Sequence, residues 1–149
     1  MSRFSLAQLL ELTEHRLEVE TRLVKAAQTR WLNARAHEAR VARTGVGERE
    51  RLLAALGGGL AGAVLAQHAL VAGEIERQRR AAAAAVAVAQ AAWQAQLEQW
   101  QKVERKVRAY KVIRARWLAR QEIRERRTEQ RVLDDWSNRH RLVERGGLR

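Results

Sequence analysis

No proline interrupts the 149 residues of this chain. Proline is the strongest breaker of helix interiors, costing roughly 3 kcal/mol there, so its absence leaves long helices free to form. Ala, Arg, Leu, Glu and Gln dominate, and all are good helix formers whose side chains lose little freedom on a helix. With one Phe, one Tyr and five Trp, a core would be mostly Ala, Leu and Val, which suits a thin helix pair better than a globule. The predicted fold is all-α: an elongated antiparallel two-helix coiled-coil hairpin with a glycine-broken middle segment, forming one domain over residues 1–149.

Cysteine is also absent, which excludes disulfides and thiolate metal sites and fits a reducing compartment. Residues 1–10 lack the charged start and apolar run of a secretory signal, so a cytoplasmic location is expected. The net charge is +12, and the stretch after residue 101 supplies +9 of it, with sixteen Lys/Arg against seven Asp/Glu. A surface this basic attracts nucleic acid, anionic lipid or an acidic protein face, and charge alone does not choose among them.

An apolar line runs through Leu6, Leu10, Leu17, Val24, Ala27, Trp31, Ala34 and Val41, with Thr13, Glu20 and Glu38 at its missing steps. Spacings of three and four make this a heptad seam, predicting a helix over 5–43 that Ser2 or Ser5 is placed to cap. Glycines at 45, 47, 57, 58, 59, 62 and 73 predict a kinked or broken apolar segment over 44–73, since each costs about 1 kcal/mol in a helix. A long helix over 74–144 follows, ended by Gly146-Gly147. Its apolar positions include Ile75, Val86, Trp93, Leu97, Trp100, Val103, Val107, Tyr110, Ile113 and Trp117. They lapse over 124–131 and resume at Val132, Leu133, Trp136, Leu142 and Val143.

The point of chain reversal follows from asking what covers those late apolar residues. A turn at the glycine triplet pairs Leu6 with the neighbourhood of Tyr110 and leaves Val132, Leu133 and Trp136 bare. A turn near Gly73 sets Trp31 beside Trp117, Leu17 beside Val132, Leu12 beside Trp136 and Leu6 beside Leu142. That second register is the sequence-based expectation, with a seam of Leu6, Leu10, Leu12, Leu17, Val24, Trp31, Val107, Tyr110, Trp117, Val132, Trp136 and Leu142.

Little here points to chemistry. The glycine triplet lacks the Gly-Lys-Ser/Thr of a phosphate loop. His15, His37, His68 and His140 have no ligand spacing, and adjacent Asp134 and Asp135 point about 100° apart on a helix. No enzyme activity, cofactor, catalytic residue or metal site is expected. The uncharged run 52–73 has the length of a membrane span, but Gln67, His68 and the glycines weaken insertion, and a partner-facing apolar tip explains the same residues. Ala81–Ala85, with the wider alanine-rich stretch to Ala92, reads as a tight helix-packing zone opposite the kinked segment. Basic residues from Lys102 onward alternate with Tyr110, Trp117 and Trp136, which keeps a basic coiled-coil nucleic-acid-binding protein as the alternative function, although Glu122, Glu125, Glu129, Asp134 and Asp135 interrupt the stripe.

The run Arg126-Arg127-Thr128-Glu129-Gln130-Arg131-Val132-Leu133-Asp134-Asp135, a first helix starting near Met1, a broken middle and a long basic second helix together resemble the FliJ/YscO family. These are central stalk proteins of flagellar and virulence type III secretion export machines. The five tryptophans and the alanine tract depart from the usual pattern and suit Hrp-type members. The resemblance implies a non-enzymatic, monomeric coiled coil at the cytoplasmic face of the secretion apparatus. It would insert into the hexameric export ATPase, promote its assembly and activity, couple it to the export-gate membrane protein, and in some members bind secretion chaperones. On that basis Arg124, Arg126, Arg127 and Arg131 are the expected ATPase-ring contacts. Leu52, Leu53, Leu56, Leu60, Val64 and Leu65 are the expected gate-facing or chaperone-facing surface, without direct membrane insertion.

Overall fold

The computed structural model describes residues 4–59 and 62–147. Two helices account for nearly all of them: α1, Ala7–Gly57, and α2, Gly62–Gly146. They pack against each other as a helical hairpin, and no strand occurs among the described residues. Contacts divide the chain into two compact units, Arg16–Val103 and Met1–His15 with Glu104–Arg149.

Reversal occurs at the glycine triplet, which corrects the expected turn near Gly73. α1 ends at Gly57, the Gly58 and Gly59 N–H groups donate to the Ala55 and Leu56 carbonyls, and Gly59 has φ +73°. That left-handed conformation is open to glycine without steric cost and ends a helix by satisfying its last carbonyls. The expected helix limits shift as well, because α1 runs through Gly45 and Gly47 and α2 through Gly73. A single helical glycine costs about 1 kcal/mol, which seam packing outweighs, whereas three in succession with a turn available do not stay helical.

Within unit Arg16–Val103 the inner face of α1 consists of Leu17, Glu20, Val24, Ala27, Trp31, Ala34, Glu38, Val41, Gly45, Glu48, Leu52 and Ala55, all buried or half-buried. The spacing alternates strictly between four and three, as a heptad seam requires. α2 answers with Ile75, Ala82, Val86, Ala89, Trp93, Gln96, Trp100 and Val103. Trp31 stacks on Trp93 with ring centroids 4.9 Å apart, rather than on Trp117, and Arg35 lies 5.0 Å over the Trp31 ring. Polar side chains enter the seam in pairs. The Gln96 amide donates to the Glu20 carboxylate, and Trp100 Nε1 donates to Thr21 Oγ1 at 2.9 Å. Such pairs penalise any slip of one helix along the other, because a slip leaves their donors unmet.

Gly45 lets the helices approach: a Cβ there would stand 3.3 Å from Ile75 Cγ2. Beside it the seam opens into a cavity of about 490 Å³ lined by Val41, Gly45, Leu52, His68, Ala72 and Ile75, among others. Of the alanine-rich stretch to Ala92, Ala82 is buried and Ala89 half-buried against α1, whereas Ala81, Ala83, Ala84 and Ala85 are exposed, so the expected tight packing zone narrows to the inward-facing positions. Gly47 and Gly73 have open space where a Cβ would go. Gly47→Ala and Gly73→Ala should therefore each stabilise the chain by about 0.5–1 kcal/mol through helix propensity alone. Thermal unfolding followed by circular dichroism should show their midpoints rising, and Gly45→Ala should gain less because Ile75 must give way.

In the other unit, Leu10 and Thr13 of α1 are buried, as is Val107 of α2, while Leu6, Tyr110, Trp117 and Gln121 are half-buried. Thr13 is tolerated on this face because its hydroxyl donates to the Leu9 carbonyl of its own helix. Phe4 packs on Trp117 with centroids 5.7 Å apart. Leu12, Val132, Trp136 and Leu142, expected in the seam, are 67%, 62%, 62% and 70% exposed. The turn at 58–59 uses up α1 against α2 residues no later than Gln121, so Val132, Trp136 and Leu142 have no α1 surface left to meet, while Leu12 falls one step off the buried position Thr13. Ser5 lies in the turn that precedes α1, and Ser2 and Leu60 lie outside the described residues.

Candidate partner-binding surfaces

Among the described residues two surfaces stand out as unpaired, one in each unit. The first is the stretch of α2 after Gln121, a single helix in which only Ser137 is less than exposed through Gly147. Helical spacing sorts its arginines. Arg124, Arg127 and Arg131 fall at i, i+3 and i+7 and so share one face. The same spacing extends that face back to Arg120 and Arg116 and, beyond Asp134, forward to Arg141 and Arg145, all exposed. Those four extra positions follow from the three-and-four rule applied to arginine rather than to apolar residues. Arg126 points elsewhere and is ion-paired with Glu122 at 2.5 Å, so three of the four expected ring contacts are brought together and the fourth is not.

The second surface surrounds the turn in unit Arg16–Val103. The last turns of α1 carry Leu53 and Leu56, 63% and 49% exposed, and the first turns of α2 carry Val64 and Leu65, 37% and 38% exposed. Leu52 differs, being half-buried against the interhelix cavity. Leu70 and Val71, further along α2, are exposed too and extend the apolar surface beyond the residues expected from sequence. The uncharged run 52–73 was their signal. The turn splits that run between two helices, and among the described residues no helix is long and apolar enough to cross a membrane.

Charge near the cavity is locally neutralised. Glu76 accepts two hydrogen bonds from Arg79, at 2.9 and 2.8 Å, and one from Arg80. The Arg79 guanidinium, aided by Arg80, holds the Glu76 carboxyl down to about 2, and Arg79 itself is pushed up by Glu76 and, more weakly, by Glu38. Among the described residues no group of three or more His, Cys, Asp or Glu is placed to hold a metal ion. The arrangement offers surfaces for binding.

The family model described as flagellar FliJ protein matches residues 1–145, nearly the whole chain. The chain belongs to the FliJ family. FliJ proteins are structural components of flagellar and type III protein export. No curated protein and no solved structure matches the chain.

Proposed function

We propose that this FliJ-family chain is the central stalk of a type III export apparatus, acting at its cytoplasmic face as a single copy inserted into the hexameric export ATPase. The observation that carries the reading is the run of exposed arginines at 124, 127 and 131 on the stretch of α2 that α1 does not cover. A ring interior lined with carboxylates would draw this face in by long-range attraction and hold it by charge-assisted hydrogen bonds. The apolar surface at the turn, with Leu53, Leu56, Val64 and Leu65, suits the export gate or a secretion chaperone, because both contacts reward burial of aliphatic side chains. Leu60, between them in sequence, belongs to the same proposal.

The test is ATP turnover by the cognate export ATPase with and without the chain. Wild type is expected to stimulate hydrolysis and ring assembly. Losing charge-assisted contacts worth about 1.5–3 kcal/mol each, the triple variant Arg124→Glu/Arg127→Glu/Arg131→Glu should bind the ring at least about a thousandfold more weakly. Arg126→Glu should do less, since Arg126 is already engaged by Glu122. Absence of stimulation with demonstrably active hexamers would overturn the reading. Steeply salt-dependent retention on DNA or RNA would then favour the nucleic-acid alternative, for which the longer stripe Arg116 to Arg145 supplies the cations.

A further inference from the structure

The free part of α2 carries a second stripe, and it is not a continuation of the hairpin seam. Extending the seam from Tyr110, Trp117 and Gln121 by alternating steps of three and four gives Arg124, Thr128, Arg131, Asp135 and Asn138, all polar, before it reaches an apolar residue at Leu142. Most of the exposed apolar residues follow a line displaced by one residue, through Leu118, Val132, Trp136 and Val143, with Leu133 on its flank, while Ile123 and Leu142 lie off it. One residue is a rotation of about 100°, so this face looks away from anything that would extend the α1 side of the hairpin. It is 49–71% exposed at those five residues, and it needs a partner of its own.

The charges on the same line say what that partner is. Going along it, Glu122, Glu125 and Glu129 come first, Val132, Leu133 and Trp136 occupy the middle, and Arg139 and His140 follow before Val143. Reversed on a second copy, this order brings the acidic end at Glu129 to the basic end at Arg139 with the apolar residues between them. We infer that the free segment of α2 pairs antiparallel with the same segment of a second copy of this chain. Centred near Asp134, the pairing sets Val132 against Trp136 of the second copy and Glu129 against its Arg139. Parallel in-register pairing would instead oppose each carboxylate to its own counterpart, which like-charge repulsion disfavours. The arginine face at 124, 127 and 131 lies largely on the other side of the helix and stays open in the pair.

The contact is small, below the size of stable dimers, so it should be weak and concentration-dependent. Sedimentation equilibrium of the full chain from about 10 to about 500 µM covers the range of such an interface. The mass is expected to rise from 17.0 kDa toward twice that value. Leu133→Ala/Trp136→Ala should weaken association by about tenfold or more, with helical circular dichroism retained because both side chains are already exposed. Arg139→Glu should weaken it alone, and adding Glu129→Arg should restore it by swapping the pair. A mass of 17.0 kDa throughout the range overturns the proposal. Association unchanged in the apolar variant places the contact elsewhere and overturns it too, as does a charge swap that fails to rescue. Sedimentation involves no ATPase, so none of these outcomes depends on the stalk reading.

Discussion

Truncating Trp31 to alanine should lower the unfolding free energy by about 2–3 kcal/mol, the lower part of the range for buried aromatics because the ring is only half-buried. The cost has two sources: apolar area returned to water, and the stack on Trp93 at 4.9 Å, which contributes about 0.5–1.5 kcal/mol beyond area. A double-mutant cycle with Trp93→Ala separates them, since the stack is the part that fails to add. Trp93→Phe behaves differently. Trp93 Nε1 is buried with no hydrogen-bond partner, so the indole already bears a desolvation penalty of about 1–3 kcal/mol that phenylalanine removes. The loss of area and the relief of the unmet N–H then oppose each other, and the substitution should be near neutral. Trp31→Phe has no such relief and gives up part of the contact with Arg35, so it should cost more than Trp93→Phe. Thermal and urea unfolding read all of these. A full-strength loss for Trp93→Phe would mean that the N–H has a partner after all.

The inner face of α1 is legible in the sequence because a heptad seam needs only regular spacing, and Leu6 to Val41 keep that spacing even where Thr13, Glu20 and Glu38 replace apolar residues. Polar residues in a seam look like defects when read one at a time. Their partners explain them: Thr13 bonds its own helix, and Glu20 receives the Gln96 amide. The reversal point was not legible by the criterion of maximal apolar coverage. That criterion assumes every apolar residue of α2 packs on α1, which favours a turn near Gly73, whereas the local cost of three adjacent glycines points to 57–59. Local backbone cost decided the outcome, and the late apolar residues are left for other molecules. The displaced line through Val132, Trp136 and Val143 carried this information, because a residue that belongs to the seam does not fall one step off it. Arginine faces were half legible: adjacency in sequence grouped Arg126 with Arg127, while helical spacing separates them.

Leu10→Asp should cost at least about 3 kcal/mol locally, since it places a carboxylate at a position only 3% exposed. The response should be confined to the start of α1. In its unit, α1 contributes only the residues up to His15, held by Leu10 and Thr13 with Phe4 against Trp117. The Glu14–Lys111 pair at 3.5 Å is exposed and adds little. Detaching these turns therefore costs far less than unfolding the seam from Leu17 onward, and the variant should relax by opening there. Hydrogen exchange should report it as faster exchange of amides 10–15, by about a hundredfold at neutral pH, with protection between Val24 and Val41 unchanged. Trp117 emission should shift to the red as Phe4 leaves. Burial raises the introduced carboxyl's pKa, so the closed form favours the protonated acid: the penalty is small below the unfolded value near 4 and grows as pH rises through it. Leu10→Asn supplies the control, opening the same turns without that pH dependence. Equal loss of protection along the whole of α1 would show instead that the helix melts as one block, and that the first turns are not the separable part the contacts make them.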